Sequence, residues 1–379
     1  MVARMMILAL ALVAAVAGSS CSSDSPSRQQ NRDSAQLDGF RDLHALERGS
    51  TDAPRDGARD HAGADTARNT LYLVDHGVSG DGTDQTSALA SAISYAHNNG
   101  YDYVVFPTNG VVGLKSSSIR FLDGITYIGN GCALKRLDRV DSDVFLRFGA
   151  ASSGSGLEAY GLVIDCNTMD IHSGGDGVYL NDNVNFHNNE VKNCREYSVS
   201  CYGSDNVTIS SNTIHDGLQY GVCTGGGDES GRSHNITVTN NTIYNMMEVG
   251  IKVRGTTGAT ITGNTVTMGD SPNSGGDTPS HHTTVRGISL YSFDNSNDDI
   301  LIQNNTVSGQ YKGYDGDAIS SDDQYNTNIR ILSNIVAKCN IGIDIHFNNG
   351  TITGNTISQC TTCLYNGGSG NTVNNNPCM

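Results

Sequence analysis

Asn235-Ile-Thr-Val-Thr-Asn-Asn-Thr-Ile243 is followed by Gly258-Ala-Thr-Ile-Thr-Gly-Asn-Thr-Val266, and the two stretches align residue for residue about Asn241 and Asn264. Val or Ile alternates with Thr on both sides of the Asn. That is the period-two pattern of a strand with one buried face, so the Asn marks a turn between two strands. The phrase returns as Asn206-Val-Thr-Ile-Ser-Ser-Asn-Thr-Ile214 and Gly350-Thr-Ile-Thr-Gly-Asn-Thr-Ile357. In this register the Asn recurs as Asn167, Asn189, Asn212, Asn241, Asn264, Asn305, Asn334 and Asn355, in steps of 22, 23, 29, 23, 41, 29 and 21 residues. Such a period marks a solenoid, whose coils bury an apolar face only by stacking on their neighbours.

After the repeat Asn a third strand opens on a small residue, eight or nine residues on at Gly221-Val, Gly250-Ile and Gly342-Ile, and further on, past insertions, at Gly287-Ile and Ala318-Ile. Three short strands per coil with no helix between them predict an all-β fold, a single-stranded parallel β-helix. Stacked Asn side chains can hydrogen-bond up and down their column, so the ladder is read as structural and not catalytic.

Upstream of the repeats stand Asp75-His-Gly77, Gly80-Asp-Gly82-Thr-Asp84-Gln-Thr86, then Ala88, Ala92 and Ile93, with Val104-Val-Phe-Pro107 and Gly129-Asn-Gly131 beyond. These residues resemble the N-terminal motif of the pectate-lyase-like right-handed β-helix family, with His76 where an aromatic and Thr108 where a Gly is usual. The resemblance implies a right-handed coil, and it leaves activity open because the fold hosts lyases, hydrolases, epimerases and adhesins. Read physically, Thr83 or Asp84 caps a helix whose Leu89, Ala92, Ile93 and Ala96 fall at helical spacing and which Asn98-Asn99-Gly100 ends. This helix is expected to cover the open end of the first coil. Asp75, Asp81 and Asp84 then serve as turn and cap residues. The expected domain runs from 70 to 379, with an opening segment at 70–135 and repeat coils at 157–379.

Residues 1–21 have the layout of a bacterial export signal: Met-Val-Ala-Arg, an apolar run from Met5 to Ala17, then Gly-Ser-Ser-Cys. Cys21 resembles the lipid-acceptor cysteine of bacterial lipoproteins, with Gly18 where Leu is usual. Cleavage after Ala15-Val16-Ala17, releasing a secreted protein, is the alternative. Residues 22–69 are rich in Ser, Asp, Arg, Gly and Ala and are expected to form a disordered linker. The expected product is a monomer tied to the outer membrane through a lipid anchor. A formal charge of −16 argues against nucleic acid as partner, since phosphate binding needs clustered Lys and Arg. Of ten Cys, Cys339 and Cys360 each lie five residues after a repeat Asn, on adjacent coils. A bridge and simple stacking both stay open. Cys360-Thr-Thr-Cys363 alone is too little for a zinc or redox site.

Alternation also says which third-strand residues point outward. Counted from the small first residue, the second position reads Tyr179, Ser200, Cys223, Lys252, Ser289, Ser320 and Asp344. The fourth reads Asn181, Tyr202, Gly225, Arg254, Tyr291, Asp322 and His346. Arg254, Tyr291, Asp322 and His346, flanked by Lys252 and Asp344, form a polar stripe suited to general acid and base chemistry. The longest step inserts a loop that carries His281 and His282 beside this stripe. A second insertion covers Thr224 to His234.

Three uses of the stripe follow. In β-elimination on a uronic acid polymer, Arg254 or Lys252 neutralises the carboxylate and Tyr291, His346 or Lys252 takes the proton; Ca²⁺ held by Asp315, Asp317, Asp322 and Asp344 is an alternative neutraliser. In inverting hydrolysis of a pectin-like polysaccharide, Asp322 and Asp344 are the two carboxyls. In a glycan-binding adhesin, Tyr179, Tyr202 and Tyr291 are stacking platforms. Asp344-Ile-His346 resembles the Asp-Pro-His segment of mannuronan epimerases, with Ile for Pro. A polysaccharide lyase is the expected function, with Tyr179, Tyr202, His281 and His282 contacting substrate.

Overall fold

The computed structural model describes residues 69–115, 119–138, 144–150, 154–167, 176–226, 231–269, 284–292, 296–310 and 315–379. The expected export segment with Cys21, the expected linker up to residue 68, and His281 and His282 lie outside the described residues. Among the described residues no helix is long and apolar enough to cross a membrane.

The strands stack in parallel into two sheets, of 13 and 19 strands among the described residues. Each coil contributes one strand to the first sheet and two to the second. Ile209, Val238, Ile261, Ile302, Ile331 and Ile352 lie side by side down the first sheet and are fully buried. Each such side chain is worth about 1.5–3 kcal/mol of burial. The stack already includes residues 103–148, where strands Tyr103–Val105, Val111–Leu114 and Ile119–Phe121 form a coil. Near the C-terminus the second and third strands run together, as Ile335–Ile345 and Thr356–Asn366.

The Asn ladder runs through Asn189, Asn212, Asn241, Asn264, Asn305, Asn334, Asn355 and Asn376. Asn264 shows the pattern. Its Nδ2 donates to Asn305 Oδ1 at 2.9 Å and to Val238 O at 2.9 Å. Its Oδ1 accepts from Asn241 Nδ2 at 3.0 Å and from the Asn241 backbone N at 2.9 Å. A buried amide is thereby satisfied without water. The residue before each ladder Asn is left-handed, for example Asn240 at φ 55°, Ser333 at φ 54° and Gly263 at φ 66°. Hence Asn, Ser or Gly fills that place.

Asn167 is not part of the ladder. Leu162 N donates to Asn189 Oδ1 at 3.0 Å, so Leu162 holds the ladder place in that coil, 27 residues before Asn189. Asn167 lies five residues further on, with its amide on Arg136 O at 3.0 Å. Its spacing of 22 matched the period by coincidence. A second, shorter ladder at the turn after the third strand joins Thr256 N to Asn297 Oδ1 at 3.1 Å and Asn297 Nδ2 to Asn326 Oδ1 at 3.0 Å.

Helix α1 (Thr86–Asn98) buries Leu89, Ala92, Ile93 and Ala96. Gln85 is the N-cap and makes no side-chain cap bond; Asp84 Oδ1 accepts from Thr86 N at 3.2 Å. Asp81 opens the strand Asp81–Asp84. Its Oδ1 accepts from Thr83 Oγ1 at 2.6 Å and Thr83 N at 2.9 Å, and these bonds hold its carboxyl down at about 2.

Cys339–Cys360 is a disulfide between adjacent coils, with Cα atoms 4.6 Å apart. Among the described residues Cys166–Cys194 and Cys363–Cys378 are the others, and Cys132, Cys201 and Cys223 are free. The two cysteines of Cys360-Thr-Thr-Cys363 therefore bond elsewhere. Replacing Cys339 and Cys360 together by Ser is expected to lower the unfolding free energy by about 2–4 kcal/mol. An unchanged urea midpoint would contradict this.

Candidate functional site

Strand register places one column down the third strands, Arg120, Arg147, Tyr179, Ser200, Cys223, Lys252, Ser289, Ser320, Asp344 and Tyr365, of which Ser200, Cys223, Lys252, Ser289 and Ser320 are buried. In the next column Arg254 pairs with Tyr291. Pairing of Ser321 with Ile345 brings Asp322 beside His346.

A third column follows from a bend that strict alternation misses. A Cβ on Gly250 would lie 2.4 Å from Val266 Cγ1, and one on Gly342 would lie 2.5 Å from Ile357 Cγ2. The small residue thus packs inward, and so does the Ile after it, as with Ile251 and Ile343. Two successive inward positions turn the preceding residue out. Tyr197, Tyr220, Arg286 and Asp317 occupy that preceding column. Arg286 and Tyr220 were not recognised from the sequence, and the repeated small residue was the signal for the bend.

Two clusters result. In the first, Lys252 Nζ lies 4.1 Å from the Tyr220 ring centroid and 4.7 Å from that of Tyr291. The Arg254 guanidinium is 5.7 Å from the Tyr291 ring. Lys252 and Arg254 are only 8 % and 7 % exposed, so water screens them weakly. Tyr220 OH donates to Glu248 Oε1 at 2.8 Å. Burial, reinforced by Glu248, pushes the Tyr220 phenol far above its ordinary value, so it keeps its proton. Cys223, beside Lys252 in the column, has its thiol pushed up by burial, with Lys252 opposing.

In the second cluster Arg286 Nη1 donates to Asp322 Oδ2, and Arg286 Nε lies 3.8 Å from Asp317 Oδ2. Asp344 Oδ1 is 3.3 Å from His346 Nε2. Burial raises the Asp344 carboxyl above its ordinary value; His346 and Arg286 oppose the rise and Asp322 adds to it. A carboxyl raised by folding holds its proton more tightly in the native state, so its effect on stability is lost as pH rises from 3.8 through the raised value. Asp344→Asn is therefore expected to gain stability relative to the wild type at pH 7 but not at pH 3. Urea midpoints at both pH values check this, and equal differences at both would contradict it.

Tyr179 and Tyr202 do not stand free. Tyr179 OH donates to Tyr202 O at 2.5 Å, Arg147 lies 5.0 Å over the Tyr179 ring, and Tyr197 packs edge-on to Tyr202 at 5.4 Å. Tyr197 also stacks on Tyr220 at 5.0 Å, so a packed run of phenols leads to Lys252. Asp315 opens strand Asp315–Ser321, but its side chain lies outside the described residues. Asp317 lies beside Arg286, and among the described residues no group of three His, Cys, Asp or Glu could hold a metal ion. A depression of about 390 Å³ at Gly77, Ser79 and Gln85 is lined by none of the column residues.

The family profile described as "Right handed beta helix region" matches residues 147–266 and 229–378. The chain belongs to that family. A comparison with curated proteins finds no match. Among solved structures, this β-helix is similar to the A-module of mannuronan C-5 epimerase AlgE4 from Azotobacter vinelandii, with TM-score 0.53 and 19% identity over 81% of this chain and 97% of that one. It is similar to the alginate lyase from Paenibacillus sp. str. FPU-7, with TM-score 0.54 and 15% identity over 74% of this chain and 96% of that one. It is also similar to PfbA, a surface adhesin of Streptococcus pneumoniae, with TM-score 0.56 and 16% identity over 82% of this chain and 92% of that one. At these identities the likeness concerns the fold.

Proposed function

We propose that this β-helix is exported, lipid-anchored through Cys21, and cleaves an extracellular uronic acid polysaccharide by β-elimination. The carrying observation is the pair of nearly buried cations, Lys252 and Arg254, set against the ring of Tyr291. In this reading Lys252 and Arg254 meet the uronate carboxylate and stabilise the negative charge that develops on it. Tyr291, acting as its phenolate, takes the proton on the carbon alpha to the carboxylate and becomes a neutral phenol. The electron pair forms a carbon–carbon double bond and the glycosidic oxygen leaves, protonated by water or by a nearby acid. Similarity in fold to an alginate lyase and a mannuronan epimerase supports a uronate substrate.

One observation favours a second reading, inverting hydrolysis. Asp344 is raised by burial and could donate a proton, while Asp322 on the adjacent coil is held by Arg286 and could activate water. The test is exposure of the purified protein to alginate, pectate and glycosaminoglycans, following ultraviolet absorbance and reducing ends together. Unsaturated ends support elimination. Reducing ends without unsaturation move the site to Asp322 and Asp344. Binding without cleavage on all polymers assigns the protein as an adhesin.

A further inference from the structure

The column that holds Lys252 continues toward the N-terminus through Cys223, Ser200 and Tyr179 to Arg147 and Arg120. Arg120 is exposed and Arg147 half-buried, with its guanidinium 5.0 Å over the Tyr179 ring. Arg136, Arg286 and Arg330 are each ion-paired with an Asp. Among the described residues no ion pair reaches Arg120, Arg147 or Lys252. Three cations with no ion pair among the described residues therefore share one column, with the buried Ser200 and Cys223 between Lys252 and Tyr179. Four strand spacings separate Arg147 from Lys252, about 19 Å.

We infer that Arg120 and Arg147 form a distal carboxylate subsite that holds a second part of the same polyuronate chain, several sugars away from the residue at Lys252. This inference rests on the elimination reading and deepens it. An extended polyuronate carries a carboxylate on every sugar, so a chain lying along the column passes each cation in turn. The planar guanidinium suits a carboxylate through two parallel hydrogen bonds. The Tyr179 ring beneath Arg147 holds its guanidinium in place and limits the entropy lost on binding. The opposite direction is set by Asp317, Asp322 and Asp344, which repel a polyanion that extends past the site. The polymer is thus held mainly on the N-terminal side of Lys252.

The test compares binding of a size-defined uronate trisaccharide and octasaccharide by calorimetry, for the wild type, for R120A/R147A and for R147K. The wild type is expected to bind the octasaccharide at least tenfold more tightly than the trisaccharide. R120A/R147A is expected to lose about tenfold for the octasaccharide and nothing for the trisaccharide. R147K retains part of the loss because a lysine keeps the charge but not the fork. Added salt should narrow the difference between the two sugars in the wild type. If the double variant binds the octasaccharide like the wild type, the subsite is overturned while the elimination reading stands. If the wild type binds neither sugar, the uronate reading fails and this inference with it.

Discussion

Tyr291→Phe is expected to lower kcat on a polyuronate by about 10²–10⁴-fold while KM changes little, the range for loss of a positioned proton acceptor. The ring of Phe keeps the contact with Lys252 and Arg254, so the cations stay in place and substrate binding persists. Only the hydroxyl is removed. Steady-state rates of unsaturated-product formation check this. A variant that keeps at least a third of the wild-type kcat would exclude Tyr291 as the base and shift attention to His346, which lies beside Asp344. Lys252 is not a good first target for this purpose, because its substitution alters binding, charge and the packing of Tyr220 together.

Asn264→Ala is expected to destabilise the domain by about 3–5 kcal/mol. The substitution removes four hydrogen bonds at once. Asn241 loses the acceptor for both its backbone N and one amide hydrogen, while Val238 O and Asn305 Oδ1 each lose a donor. Asn264 is 1 % exposed, so water does not replace these bonds. Each coil is held only by its neighbours, so the damage is local: amide exchange should accelerate between Asn235 and Thr267 before it does elsewhere. Asn167→Ala, outside the ladder, is expected to cost no more than about 1 kcal/mol. Equal urea midpoints for the two variants would contradict the ladder.

The fold was legible because two simple periods coincide: alternation of Val or Ile with Thr, and the return of Asn. Both arise from backbone geometry and need no knowledge of side-chain partners. Asn167 shows the limit, since a 27-residue coil hid a residue that happened to fit the period. In the candidate site, the columns of Lys252 and of Arg254 were readable by counting residues from the small one that opens the strand. Arg286 and Tyr220 were hidden because the chain bends at that small residue, and a bend is a packing event between coils. Arg286 then pairs with Asp322, so a stripe that read as one continuous set of groups divides into a cation–phenol cluster and an acidic one. Tyr179 and Tyr202, read as platforms, pack into each other because coil spacing leaves no room between neighbouring rings.

The most direct test of the account is the product formed by wild-type protein from a polyuronate, read as the ultraviolet absorbance of its new double bond and set beside the Tyr291→Phe variant. The account predicts steady growth of unsaturated ends with the wild type and almost none with the variant. Saturated products from the wild type, or equal rates from the two proteins, would contradict it.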